Sequence, residues 1–184
     1  MVPDDRVWRE RALRAAVLAG DERAWQTWYD GSFADLDAYV LWRCAGLRDV
    51  ADEVVQETWL TAVRRVRRFD PDQGSFAGWL RGIAGNVLRN QLRKLRRTPP
   101  VHSLNGKEQA APPDRQPERR EEAQRIAQAL AKLPEHYEAV LRAKYLDRQS
   151  VADIAAANGD TAKAVESLLT RARQAFREAF LNLE

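Results

Sequence analysis

The sequence predicts an all-α fold, built as two small helical domains joined by a proline-rich flexible linker, with a helix-turn-helix in the second domain. Three observations carry that prediction. Apolar residues recur at three- and four-residue spacing through 1–97 and again through 119–184, the period of a helix with one buried face. Between them, in 98–118, Pro99, Pro100, Pro112, Pro113 and Pro117 exclude a continuous helix, and the Ser, Asn, Gly and Gln around them offer little to bury. Near the end, Ser150, Asn158-Gly159 and Thr161 follow one another as start, stop and start signals, which is how a tight turn between helices is written.

The chain has 184 residues, room for one domain or two small ones, and 45% apolar content, enough for a packed core. Net charge is only +3, yet the basic residues are bunched, and distribution matters more than the total. Cys44 is the sole cysteine, so no internal disulfide and no cysteine-based metal framework can form. Its apolar neighbours in LWRCAG suit a buried thiol. The start has no signal-like apolar region and no run approaches a membrane span, so the expectation is a soluble, cytoplasmic protein without membrane insertion. His102 in the linker and His136 at a helix start read as solvated.

Taken in order, Asp4–Ala19 reads as a helix with Val7, Ala12, Ala15, Ala16 and Ala19 available for packing; Gly20 ends it and Asp21 can cap the next. Two helices are expected over 22–29 and 33–44, with Trp25, Trp28 and Trp42 as core, joined later by Trp59. From Asp49 a fourth helical segment opens with Asp49, Asp52 and Glu53, whose carboxylates complement a helix N-terminus. Ala51, Val55, Thr58, Ala62 and Val66 form its apolar stripe, and Glu53, Gln56, Glu57 and Leu60 fall on another face. Spacing alone favours a plain solvated face there.

Asp70-Pro71-Asp72-Gln73-Gly74-Ser75 is loop punctuation, and Ser75 or Gln73 could cap the helix after it. That helix points Trp79, Ile83, Val87 and Leu88 one way. It carries Arg81, Arg89, Arg93, Lys94, Arg96 and Arg97 with no acid between Gly74 and Arg97. Cations take phosphates and rings such as Phe69, Phe76 and Trp79 can stack on unpaired bases. Composition does not separate such a surface from a basic helix merely packed through Trp79.

After the linker, periodicity restarts at Arg119 with Ile126, Ala127, Leu130 and Leu133. Pro134 opens another helix at its first position, with Tyr137, Val140, Leu141 and Tyr145 (or the stem of Lys144) on the buried side. Ser150 and Asp153 resemble a capping box for 151–158, Asn158-Gly159 is a left-handed stop, and Thr161 can cap a last helix to about Leu181. There Val165, Leu168, Leu169, Ala172 and Phe176 face inward, while Glu166, Ser167, Thr170, Arg171 and Gln174 face outward. A plain helical hairpin fits this spacing as well as a DNA reader does.

Two longer stretches carry a resemblance. DVADEVVQETWLTAV followed by RFDPDQGSFAGWLRGIAGN looks like the second region of bacterial RNA polymerase sigma factors of the small extracytoplasmic-function (ECF) type. LPEHYEAVLRAKYLDRQSVADIAAANGDTAKAVESLLTRARQAFRE looks like their fourth region, and LAGDERAWQTWY resembles their opening. Departures exist: Arg148 stands where a glycine is usual, Asp160 replaces an apolar residue, and Glu166 and Leu168 occupy places often held by Lys or Arg.

The resemblance implies a transcription initiation factor, with no catalytic residues, cofactor or metal. It implies binding of core RNA polymerase, through the clamp helices of one large subunit and the flap of the other, and of promoter DNA. The first domain would read the −10 element as melted strand and help melting, the second the −35 element as duplex. Carried over by position, Glu53, Gln56, Glu57 and Leu60 would contact polymerase. Phe69, Gln73, Ser75, Trp79, Ile83, Asn86, Arg89, Arg93 and Lys94 would face −10 DNA, with Phe69 and Ile83 as walls beside a flipped base. Lys163, Glu166, Ser167, Thr170 and Arg171 would face −35 DNA. The resemblance also admits an anti-sigma partner. A stand-alone helix-turn-helix regulator is the alternative; it leaves the VQET face and the loop unexplained and needs a palindromic site or a dimer. An enzyme is disfavoured, because the acids at 49–57 have no nearby His or fixed loop geometry, and no phosphate cradle or nucleophile–base pair is present.

Overall fold

The computed structural model describes residues 5–97 and 116–183, and the linker expectation for 98–115 lies outside them. Among the described residues every regular element is helical: α1 (Asp5–Leu18), α2 (Glu22–Arg43), α3 (Arg48–Arg65), a short 3-10 turn (Val66–Arg68), α4 (Phe76–Arg97), α5 (Gln116–Lys132), α6 (Glu135–Tyr145), α7 (Val151–Asn158) and α8 (Ala162–Leu181). Among the described residues, 5–41 with 48–94 make one compact unit, and 42–47 with 95–97 and 116–183 another.

In the first unit, Gly20 closes α1 at φ 90°, and the Asp21 carboxylate accepts the Arg23 N–H at 2.8 Å to start α2. The two helices expected over 22–44 are one. Asp30-Gly31 has turn composition, and a mid-helix glycine costs about 1 kcal/mol. The buried stripe of Ala24, Trp28, Ser32, Leu36, Tyr39 and Val40 runs straight through it, and packing overrides the local preference. On α3 the expected stripe of Ala51, Val55, Thr58, Ala62 and Val66 is buried, and the Thr58 hydroxyl is satisfied by donating to the Val54 carbonyl at 2.6 Å.

An aromatic cluster forms the centre of this unit. Phe76, the first residue of α4, stacks on Trp28 with ring centroids 4.0 Å apart, and Phe69 meets both edge-on at 5.7 and 5.5 Å. Trp79 leans on Phe69 and Phe76 at 5.5 and 5.7 Å. Each fully buried large side chain here contributes on the order of 1.5–3 kcal/mol by leaving water. Phe69 and Ile83 pack into this core, at 1% and 9% exposure. Cys44 is buried, as its neighbours suggested.

In the second unit α5 begins at Gln116, so 116–118 are a first helical turn and not linker. Pro117 fits there because a first-turn N–H has no intrahelical acceptor anyway. Pro134 precedes α6 as its N-cap instead of occupying its first position. Val140, Leu141, Ile154, Ala155, Val165, Leu169 and Ala172 form the core, joined by the half-buried Leu133, Tyr137 and Leu168. Tyr145, expected on the buried side, is 56% exposed; its hydroxyl accepts the Arg173 Nε–H at 2.9 Å, and water or a polar partner suits a phenol better than apolar core.

Candidate polymerase and nucleic-acid interfaces

The α3 face opposite the buried stripe is open. Glu53, Gln56, Glu57 and Leu60 are all exposed, and Val63, one turn beyond Leu60, extends the face with a second exposed apolar side chain. Glu53 accepts the Gln91 amide at 3.0 Å, and Glu57 lies 3.5 Å from the Thr61 hydroxyl and 3.8 Å from Arg64. Such exposed pairs contribute little to stability, so these side chains are available to a partner. Two exposed aliphatics ringed by carboxylates and an amide suit protein docking better than a polyanion. Val63 was missed because it interrupts the polar pattern that marked the other four.

Loop 70–75 is locally built. Asp70 accepts the Asp72 N–H at 3.0 Å and the Gln73 side-chain amide at 2.9 Å, and the Gln73 N–H closes a turn on the Asp70 carbonyl at 3.1 Å. Pro71 is buried while Asp72 and Gln73 are exposed. Ser75, one of the two expected caps, is the one used, its Oγ accepting the Gly78 N–H at 3.1 Å. Ser75 thus starts α4 as well as lining the loop.

Along α4, Asn86, Arg89, Arg93 and Lys94 are exposed and fall on one side of the helix, with the half-buried Trp79 at its start. Asn86 is not an internal brace: it is exposed and its carbonyl oxygen accepts a hydrogen bond from Arg89 one turn on. Phe69 and Ile83 lie beneath this surface.

Three residues of α1 that no sequence pattern flagged touch this site. The Glu10 carboxylate accepts the Phe76 backbone N–H at 3.0 Å and the Trp28 indole N–H at 3.1 Å. Arg11 pairs with Asp72 at 2.6 Å, and Arg14 donates to the Arg67 carbonyl at 3.0 Å. A cleft of about 470 Å³ lies between, lined by Arg11, Arg14 and residues 67–72. The partners are far apart in sequence, so no local signal could have found them.

In the second unit α7 and α8 make a helix-turn-helix whose stops and starts are all occupied. Ser150 and Asp153 form a reciprocal capping box, Gly159 ends α7 at φ 72°, and the Thr161 hydroxyl accepts the Ala164 N–H at 3.2 Å. The Asp153 carboxyl is held below its ordinary value by the Ser150 side-chain and then backbone hydrogen bonds. Arg148 takes φ 52°, a left-handed conformation that explains why glycine suits this position. Lys163, Glu166, Ser167, Thr170 and Arg171 are exposed together on α8, and the Thr170 hydroxyl already donates to the Glu166 carbonyl at 2.9 Å.

Among the described residues no three His, Cys, Asp or Glu are grouped to hold a metal ion, and no helix is long and apolar enough to cross a membrane. Among the described residues, an exposed mixed face on α3, a basic helix behind a capped loop and a helix-turn-helix together suit a nucleic-acid-binding factor that also meets a protein.

The family models for Sigma-70 region 2 and Sigma-70 region 4 match residues 23–98 and 123–176. The chain is 26% identical over 144 residues to the ECF RNA polymerase sigma factor RpoE of Cereibacter sphaeroides, covering 75% of this chain and 76% of that protein. It is 29% identical over 173 residues to the ECF RNA polymerase sigma factor SigC of Mycobacterium tuberculosis, covering 89% and 87%. Among solved structures it is similar to CnrH in complex with the cytosolic domain of CnrY, at 26% identity and TM-score 0.48 over 96% of this chain and 99% of that one. It is also similar to the sigma factor RpoE of Bartonella quintana in complex with the anti-sigma factor NepR, at 19% and 0.44 over 84% and 95%. The chain belongs to the RNA polymerase sigma factors, of the ECF type. It is a non-enzymatic initiation factor that binds core RNA polymerase and promoter DNA and directs the polymerase to promoters.

Proposed function

We propose that the two units divide the promoter between them. The first docks on the clamp helices of the polymerase through Glu53, Gln56, Glu57, Leu60 and Val63. It takes the −10 element as melted strand on loop 70–75 and the α4 face. The second meets the flap and reads the −35 element in the major groove with Lys163, Ser167, Thr170 and Arg171. Glu166, exposed on the same face, sets a carboxylate beside these side chains. The work is cytoplasmic, where polymerase and DNA are. An anti-sigma partner is part of this reading.

One observation carries the proposal for the first unit: the acid-free, exposed row of Asn86, Arg89, Arg93 and Lys94 beginning at a capped loop. Asn86 has an amide able to hydrogen-bond a base edge, and such contacts carry sequence information. Arg93, on the basic end, suits phosphate. Asn86→Ala is expected to reduce open-complex formation at the preferred −10 sequence and relax discrimination at one base. Arg93→Ala is expected to weaken binding evenly and lower the salt slope by roughly 0.7–0.9. The measurement is open-complex formation by holoenzyme on a panel of −10 variants at several salt concentrations. An Asn86→Ala protein that keeps its base preference while Arg93→Ala loses it would reverse the two roles.

A further inference from the structure

We propose that α1 is a brace that sets the position of loop 70–75, with Glu10, Arg11 and Arg14 as positioning residues for promoter opening. The inference rests on the reading of that loop as a −10 DNA contact and adds what holds it in place. One helix grips both sides of the loop. On its entry side, Arg14 donates to the Arg67 carbonyl at 3.0 Å, on the short turn that leads into it. In its middle, Arg11 holds Asp72 at 2.6 Å. On its exit side, Glu10 accepts the N–H of Phe76, the first residue of α4, at 3.0 Å.

Glu10 does more than cap. A carboxylate at a helix N-terminus meets the positive end of the helix dipole and satisfies an N–H that has no intrahelical acceptor. Its other oxygen takes the Trp28 indole N–H at 3.1 Å, and Trp28 is stacked on Phe76. The start of α4 is thereby fixed to α1 and α2 by polar and aromatic contacts at one point. Inside the loop, Asp70 supplies only local turn bonds, which shape the loop but do not fix where it lies. Buried Phe69, Pro71 and Phe76 seat the loop on the core, and α1 adds the polar ties that hold its exposed part. A base-sized pocket tolerates little displacement, so a loop released from the brace loses discrimination before the fold is lost.

The experiment compares Glu10→Ala, Arg11→Ala and the swap Arg11→Asp with Asp72→Arg in full-length protein. It follows amide exchange across 70–76, polymerase affinity, and holoenzyme opening on the −10 panel. Glu10→Ala is expected to speed exchange at the loop and slow opening roughly tenfold, the scale of a lost charge-assisted hydrogen bond. Arg11→Ala is expected to slow opening about two- to threefold, because its pair is exposed, and the swap to recover most of that. Polymerase affinity should not change, and discrimination at the −10 element should fall. Faster exchange with unchanged opening and discrimination would make α1 plain packing and overturn the proposal, as would a folded swap that recovers nothing. Gln73→Ala and Asn86→Ala run alongside: if they too leave opening unchanged, the underlying loop reading fails instead. Thermal unfolding of each variant separates misfolding from misplacement.

Discussion

The two units solve the same problem, holding a short turn in front of a helix, by opposite means. In the second unit the turn between α7 and α8 is fixed by its own residues, Gly159 at φ 72° and Thr161 on Ala164, and the other end of α7 is closed just as locally by Ser150 with Asp153. In the first unit the loop before α4 has local bonds of its own, yet it is tied down by Glu10, Arg11 and Arg14 from a helix more than fifty residues earlier in sequence. A turn that carries its own fixings keeps its geometry when surroundings change. A turn fixed from afar shares the fate of the core beneath it.

The comparison is broken most severely by removing that core. Phe76→Ala deletes the ring stacked on Trp28 and is expected to cost about 3–5 kcal/mol, by lost burial and the cavity left behind. Tyr29, Trp59 and the other rings of this unit should lose near-ultraviolet dichroism while α7 and α8 keep amide protection in exchange measurements. Equal loss of protection in both would remove the distinction between the units.

A smaller, opposite effect is expected at Arg148. Its φ of 52° costs a side-chain-bearing residue roughly 1 kcal/mol or more, which glycine does not incur. Arg148→Gly should stabilise the second unit by about that amount in denaturant titration and leave the first unchanged. Destabilisation would mean the arginine side chain supports the turn more than its backbone strains it.

The smallest effect is acid sensitivity of the capping box. The Asp153 carboxyl is held below its ordinary value of 3.8 in the folded protein. A lowered folded value means that its stabilisation is present above 3.8 and disappears as pH falls through the folded value. Protection of the α7 amides, taken relative to the intrinsic exchange rate at each pH, should therefore fall below about pH 4, and Asp153→Asn should flatten that pH dependence. An unaltered profile in the variant would assign the acid response to another group.

Legibility in the sequence followed the same division. The capping box, the Asn158-Gly159 stop and the inward and outward faces of α8 could all be read, because each signal and its partner sit within a turn of one another. Ser75 as a cap and the buried stripe of α3 were legible for the same reason. Gly31 misled, since its local preference was outweighed by a long buried stripe it does not itself reveal. Glu10 was invisible: nothing in DRVWRERAL announces an indole and a helix start far along the chain.

Glu10 also separates two ways of drawing a boundary. The Sigma-70 region 2 match begins at residue 23, and a fragment cut there would keep α3, the loop and α4 complete. It would leave the Trp28 indole and the Phe76 N–H without the carboxylate that accepts both. The stretch that the family model matches and the stretch that closes its own hydrogen bonds are not the same length. For excision, grafting or domain exchange the cut belongs before α1, so that both donors keep their acceptor.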